Sequence, residues 1–299
     1  MDAVSLLQIA SAFLLNLGFI WLSGSWCARF WMRANGAKRN DFEPALRRLD
    51  LMAAGLGVIS GTASLLAATA IMGDVGLREA CPMFWVMLTG TDYGRAGCVA
   101  NAAMAALFVL RWTGASSRAG DLALVLALCV FALTRASMGH AGEDGYWSLA
   151  LAAEAIHFVA IGVWTGAVLV SAWFALDAAR VDARVIGAQD RYLNRMSQAA
   201  MAAVMAILIT GVYSAWHRVG TPEHLLHTAY GATLLAKVAL VLAAIALGGY
   251  NKFIGLPAAS RSQRGLEQVR AALRIESVFL LAAVLAASML ISQQPPTAL

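Results

Sequence analysis

The residues whose chemistry stands out are Glu154 and His157, which lie inside the long apolar stretch 146–177. This stretch is long enough to cross a bilayer as a helix. Helical spacing places Glu154, His157, Ile161 and Trp164 on one face. His157 lies about 15 Å from the helix start, near the middle of a hydrocarbon core about 30 Å thick. An ionisable side chain at that depth usually has a partner. Two interpretations stay open: a neutral histidine bonded to Glu154 or a hydroxyl, or a metal or proton site.

Further metal-binding side chains lie at the predicted outer ends of the apolar runs. His140 follows Met138 by two residues at the end of the fourth run, and a thioether with an imidazole suits Cu(I). The alternative is a solvated histidine at a polar helix end. Three more histidines lie in or beside one loop, where they either capture metal or are simply exposed polar side chains: His217, His224 and His227.

Several ionisable or polar residues are candidates for supporting this site. Glu154 precedes His157 by three residues, so it can orient the imidazole or accept its proton. Trp164 lies two turns deeper, and packing is its expected role. Lys237 is a third of the way into the seventh run and needs a partner or must snorkel. Proton coupling through Glu154 or Glu276 stays open.

Cys81 and Cys98 lie on either side of one predicted outer hairpin. In an oxidising compartment a structural disulfide is the favoured interpretation. A pair of thiolate ligands is the alternative. Four cysteines in 299 residues do not otherwise indicate a disulfide framework.

The composition determines the class of protein that must position these residues. The chain is 60% hydrophobic and 13% charged, with mean hydropathy +0.69. These values predict an all-α polytopic membrane protein. The net charge of +5 does not indicate nucleic-acid binding, because the basic residues lie in short loops. Eight spans are predicted, at about 3–29, 46–72, 92–111, 119–138, 147–177, 190–216, 229–252 and 270–291.

Basic residues and short sequence matches predict the orientation and the domains. Lysine and arginine concentrate in the odd-numbered loops, which places those loops in the cytoplasm and both termini outside. Residues 91–94, TDYG, match residues 228–231, TAYG, four spans later. Residues 59–61, ISG, similarly match residues 209–211, ITG. We therefore expect a parallel 4+4 repeat, with domains 1–145 and 146–299.

Two motifs of the second half follow a pattern that is known from one protein family. That family has a histidine followed on the same helix by Trp-x-Gly-Gly. Here the pattern is His157 and 164–167, WTGA, with alanine at the second glycine. A second motif, Tyr-Gly followed by a lysine and a distant asparagine, corresponds to 230–231, Lys237 and Asn251. The chain also ends similarly, with Ser292 followed by two prolines. These residues resemble the CopD family of inner-membrane copper resistance proteins, and the resemblance is clearest over 137–296.

The resemblance implies copper handling at the bacterial inner membrane, often beside a small periplasmic copper-binding protein of the CopC type. Combined with the residues, it predicts a transporter, not an enzyme, that captures copper at the periplasmic face and moves it inward. Cu(I) is favoured, with Cu(II) as the alternative. No Walker motif is present, so ATP is not the expected energy source. The rivals are a membrane b-type haem redox protein and a non-transporting partner that receives copper from a periplasmic chaperone.

Overall fold

Long helices form the whole architecture. The computed structural model describes residues 2–33, 43–114, 117–142, 145, 147–176, 186–219 and 221–293. Within these ranges the secondary structure is helical throughout, with no strand. Eight helices are long and apolar enough to cross a membrane. The predicted class, an all-α protein with eight membrane spans, is therefore confirmed.

The helices follow one another with short connections. Each span predicted from the apolar runs corresponds to a helix whose ends lie within a few residues of the prediction, apart from longer extensions at the basic ends of the first, seventh and eighth. In chain order the helices are α1 (Ala3–Arg33), α2 (Glu43–Gly73), α3 (Leu77–Gly90), α4 (Asp92–Trp112), α5 (Arg118–Ser137), α6 (Leu149–Val170), α7 (Ile186–Val219), α8 (Pro222–His227), α9 (Ala229–Tyr250), α10 (Leu256–Ala259) and α11 (Gln263–Leu290). A π-helical turn, Ser171–Ala175, continues α6, and another, Asn251–Gly255, continues α9.

Two further helices, α3 and α8, occupy connections that the apolar runs leave as loops. Each one precedes a threonine that caps the next span. The Thr91 side chain accepts from Gly94 N, and the Thr228 side chain accepts from Gly231 N. A Cβ on Gly94 would lie 2.2 Å from Met87 O, so only glycine lets the two helices approach this closely. The matched motifs thus form the same local turn in both halves, while the 4+4 repeat itself stays a prediction.

Successive spans alternate in direction, so their ends lie on two opposite sides of the bundle. We call the side that holds the start of α1 and the end of α11 the terminal end, and the sequence predicts that it faces the periplasm. The basic end lies opposite and holds the ends of α1 and α4 and the start of α2.

A close crossing of α1 and α6 joins the two halves. A Cβ on Gly166 would lie 2.2 Å from Ile20 O, and one on Gly24 would lie 2.1 Å from Gly166 O. Small residues let helix backbones approach closely in a membrane. Ala167, which replaces the second glycine of the family motif, is fully buried beside this crossing.

A buried charge cluster fixes the basic end of the first half. The Asp50 carboxylate is 0% exposed and lies 2.7 Å from Arg29 Nη1 and 3.0 Å from Arg111 Nε. Trp21 Nε1 donates to Asp50 Oδ1 at 2.9 Å, and Arg29 also pairs with Glu43 at 3.0 Å. Charges this deep are tolerated only when paired, so the cluster holds α1, α2 and α4 in one register.

Candidate metal centre

A cavity of about 370 Å³ begins at the terminal end and extends into the bundle. Residues from α1, α2, α4, α5, α6, α7, α9 and α11 line it. Its deepest lining residues on α6 are Trp164 and Thr165. Trp164 is 15 residues into α6, which corresponds to about 22 Å of helix. The cavity therefore reaches from the helix ends to about the middle of the bundle.

His157 lines this cavity, and the tautomer of its ring follows from its hydrogen bonds. Its Nδ1 lies 2.8 Å from Thr210 Oγ1. That hydroxyl donates its own hydrogen to Ala206 O at 2.6 Å. The hydroxyl must therefore accept from His157, so Nδ1 carries the hydrogen. The lone pair is then on Nε2, which is the arrangement that a metal-binding imidazole needs.

Small and aromatic residues fix the position of the imidazole. A Cβ on Gly211 would lie 3.4 Å from His157 Cε1, so the backbone of α7 lies directly behind the ring. Phe158, the next residue, packs against Phe19 with the two rings tilted by 31° and their centroids 4.8 Å apart. Thr210 and Gly211 belong to the segment that matches 59–61, so the repeated motif was the one sequence signal that pointed to them.

Two thioethers line the same cavity as His157. Met138 caps the end of α5, and Met72 lies at the end of α2. The backbone of His140 lies in a 3-10 turn, His140–Gly142, directly after Met138. The His140 side chain lies outside the described part of the structure. Met138 and His157, predicted as ligands from different helices, thus line one space.

Charged side chains also line the cavity. Glu154 Oε2 lies 2.7 Å from Arg218 Nη2, and Lys237 and Arg135 complete the ionisable lining. Thr210, and not Glu154, bonds Nδ1 of His157, while Glu154 pairs with Arg218. The alternative that Glu154 accepts a proton from His157 stays a prediction. Arg218 was not predicted. It lies 64 residues from Glu154 and comes close only through the packing of α7 on α6.

Trp164 does more than pack. Its Nε1 donates to Glu276 Oε1 at 3.0 Å, linking α6 to α11 across 112 residues. Both side chains are buried, with 3% exposure for Trp164 and 2% for Glu276. This contact closes the deep end of the cavity.

The loop histidines lie outside this cavity lining. The ring of His217 packs at a tilt against Tyr213, with 4.4 Å between the centroids, and His224 Nδ1 donates to Val219 O at 3.1 Å. His227 is exposed at the end of α8. Among the described residues, no three His, Cys, Asp or Glu side chains form a group that could hold a metal. Besides His157, the cavity lining contains the thioethers of Met72 and Met138.

The expected disulfide is not formed. Cys81 and Cys98 are both free and exposed, and Cys81 Sγ contacts Leu77 O at 3.5 Å within its own helix. The physical reason is the helix α3, which the sequence left as a loop. It carries Cys81 on a regular, exposed helical surface, so the thiol is not on a flexible hairpin that can approach Cys98.

Eight apolar helices around a cavity lined by imidazole and thioether define a polytopic helical membrane protein. Residues 1–149 match the family model described as Copper resistance protein D-like, N-terminal domain. Residues 190–290 match the model described as Copper resistance protein D. The chain belongs to the CopD family of copper resistance proteins.

One curated relative supports this membership over most of the chain. The protein named Copper resistance protein D from Pseudomonas syringae pv. tomato is 28% identical over 248 residues, which cover 79% of this chain and 78% of the relative. No solved structure matches the chain.

Proposed function

We propose that this protein transports copper, as Cu(I), from the periplasm through the central cavity and across the bacterial inner membrane. The observation that carries the proposal is the lining of one cavity by His157, Met72 and Met138, with Nε2 of His157 left free by the hydrogen bond to Thr210. Imidazole and thioether together suit Cu(I). Family membership supports copper as the cargo.

The charge of the lining favours the monovalent ion. Arg135, Arg218 and Lys237 outnumber Glu154 in the cavity. Three cationic side chains repel Cu(II) about twice as strongly as Cu(I), because the Coulomb energy scales with the charge of the ion. Soft thioether ligands also bind Cu(I) better than a hard dication. The carboxylate in the described cavity lining is that of Glu154, which pairs with Arg218.

The proposal also includes the orientation of the protein in the membrane and the capture of copper on the periplasmic side. The basic loops support a cytoplasmic position for the basic end. The cavity then begins on the periplasmic side, together with His140, His217, His224 and His227. These histidines would collect copper at low concentration or receive it from a CopC-type periplasmic protein. Both chain termini lie on that side in this arrangement.

The test is Cu(I) uptake into proteoliposomes with one orientation of the protein, together with Cu(I) binding in detergent. Removal of only the hydrogen-bond partner of a ligand typically weakens metal binding by about 10–100-fold. His157→Ala removes the ligand itself, so it should weaken Cu(I) binding by more than this. Met138→Leu keeps the volume and removes the sulfur, so it should weaken binding less. Met83→Leu is a matched control for Met138→Leu outside the cavity lining and should behave like the parent.

Each other result contradicts a particular part of the proposal. If His157→Ala binds and moves Cu(I) like the parent, the cavity is not the copper path. If the parent binds Cu(I) at His157 but moves none, the protein is a non-transporting receiver of copper. A Soret absorption band in purified protein would establish the haem alternative, which needs a second histidine beside His157.

A further inference from the structure

A buried polar cluster lies directly beneath the cavity. The Glu276 carboxyl is 2% exposed and the Asn251 amide is 4% exposed. Glu276 Oε1 accepts from Trp164 Nε1, while among the described residues Glu276 Oε2 and both polar atoms of Asn251 have no regular hydrogen bond. The side-chain amide of Asn251 lies close enough to the Glu276 carboxyl to interact with it by hydrogen bonding. A carboxyl that is buried and incompletely bonded in a membrane span is costly and marks a functional site by default.

The two side chains can accommodate either protonation state of the carboxyl. A protonated Oε2 would donate to Asn251 Oδ1, whereas a charged Oε2 would accept from Asn251 Nδ2. A half-turn of the amide is enough to change from one arrangement to the other. Trp164 donates to Oε1 in both states. A hydrophobic or purely donating neighbour would favour only one state, so this set of groups suits reversible proton binding.

The backbone around the cluster is irregular. Asn251 begins one π-helical turn, Asn251–Gly255, which continues α9, and a second, Ser171–Ala175, continues α6 beyond Trp164. Two hydrogen bonds join this second turn to α11: Trp173 Nε1 donates to Ser277 Oγ at 3.2 Å, and Arg270 Nε donates to Ala172 O at 3.1 Å. π turns inside helices frequently occur at functional sites. Here they lie where α6 and α9 would have to adjust for an ion to pass Trp164.

Other charged groups on the neighbouring elements are engaged elsewhere. Lys252 on the π turn contacts Ser197 Oγ at 3.4 Å, and Arg274 on α11 lies over the Trp173 ring at 4.9 Å. Other charged or titratable groups on the packed helices are the cavity residues His157 and Lys237, the Glu154–Arg218 pair in the same cavity, Arg270 at Ala172, and the cluster of Arg29 with Asp50 on α1 and α2. The electrostatic state of Glu276 therefore depends mainly on its own proton and on any ion that enters from the cavity.

We propose that Glu276, Asn251 and Trp164 form a proton-binding site that exchanges one proton for each Cu(I) ion passing the floor of the cavity. This inference rests on the proposed copper transport. With the cavity empty, Glu276 holds a proton on Oε2. An ion that reaches Trp164 favours the carboxylate, so the proton leaves to water and the exchange is electroneutral. The carboxylate then supplies the negative charge that the cationic lining of the cavity lacks.

The first experiment needs no copper. Infrared difference spectra of the purified protein, titrated with pH in H₂O and D₂O, should show the carbonyl stretch of a protonated carboxyl that Glu276→Gln removes. Glu223→Gln, at an exposed position on α8, is the matched control and should keep the band. Asn251→Leu removes the donor for the carboxylate, so the band should persist to higher pH. A spectrum without this band, or a band that survives Glu276→Gln, would overturn the site.

The second experiment measures coupling. If one proton is released for each Cu(I) bound, the apparent dissociation constant for Cu(I) falls about tenfold for each unit of increase in pH. This change should appear in the parent in addition to any pH dependence that Glu276→Gln also shows. Proteoliposomes containing a pH dye should report proton efflux during Cu(I) uptake by the parent but not by Glu276→Gln. Equal pH dependence in the two proteins would refute the exchange while leaving copper transport intact. If the parent takes up no copper, transport fails, whereas the infrared result still decides the proton site.

Discussion

Replacing Thr210 with valine tests the hydrogen bond that holds His157. Valine has nearly the same shape as threonine but lacks the hydroxyl that accepts from His157 Nδ1 at 2.8 Å. In the copper-bound protein Nε2 must coordinate the metal, so the hydrogen stays on Nδ1 and has no acceptor. In the free protein the ring can instead carry its hydrogen on Nε2, facing the cavity. The substitution therefore penalises the bound state more than the free state.

The size of the effect can be estimated in two independent ways. Loss of the hydrogen-bond partner of a ligating histidine typically costs about 10–100-fold in metal affinity. At about 1.4 kcal/mol per tenfold change, this range is roughly 1.4–2.8 kcal/mol. A buried donor left without an acceptor costs about 1–3 kcal/mol. Thr210 is 7% exposed, so water does not readily replace the hydroxyl. The two ranges agree, and we expect Cu(I) binding to weaken by about 10–100-fold.

The assay is competition for Cu(I) against a calibrated chelator in detergent, with nitrogen NMR of the histidine ring to identify the tautomer. Thr210→Ser keeps the hydroxyl and should bind within a few-fold of the parent. Thr69→Val is a second control, because Thr69 is also buried, at 2% exposure, and its hydroxyl donates to Leu65 O in the same way as that of Thr210 to Ala206 O. Parent-like affinity in Thr210→Val, or hydrogen on Nε2 in the metal-free parent, would show that Thr210 does not prepare the ligand.

Two further predictions concern the packing that positions the site. Gly166→Ala should lower the free energy of unfolding by about 3 kcal/mol, the upper part of the range for overpacking, because the new Cβ would lie 2.2 Å from Ile20 O. Thermal unfolding in detergent measures this, and Gly249→Ala, with no neighbour within 4 Å, should be at least as stable as the parent; equal stability of the two variants would contradict the close crossing. Asp50→Asn should cost about 3–5 kcal/mol, because Arg29 and Arg111 would lose their buried counter-charge. Asp92→Asn removes an exposed pair with Arg95 and should change stability little; a similar loss in both variants would refute a special role for the buried cluster.

The sequence alone determined the eight spans, because an apolar run of sufficient length must form a helix in a membrane, where every backbone polar group needs a partner. It also singled out His157, because an imidazole inside such a run is costly wherever the helix packs. Met138 could be associated with it, since the short connection between the fourth and fifth spans makes those helices neighbours. These inferences depend only on local composition and spacing.

The sequence misjudged features whose local signals are weak or whose partners are distant. α3 was left as a loop because its apolar run is short and contains Pro82. That error also led to the disulfide prediction, which needed Cys81 on a flexible hairpin. Glu154 was paired with His157 because they lie one turn apart, but Arg218 on α7 proved to be the stronger partner for the carboxylate.

Only the tertiary structure decided which groups complete the site. Thr210 lies 53 residues from His157, and Glu276 lies 112 residues from Trp164. Helical periodicity specifies the face on which each residue lies, but it does not specify which other helix that face meets. That choice follows from the summed packing of the bundle, including the glycine crossing of α1 and α6 and the buried charges at the basic end. The ligand tautomer and the polar floor of the cavity exist because those distant contacts bring α7 and α11 against α6.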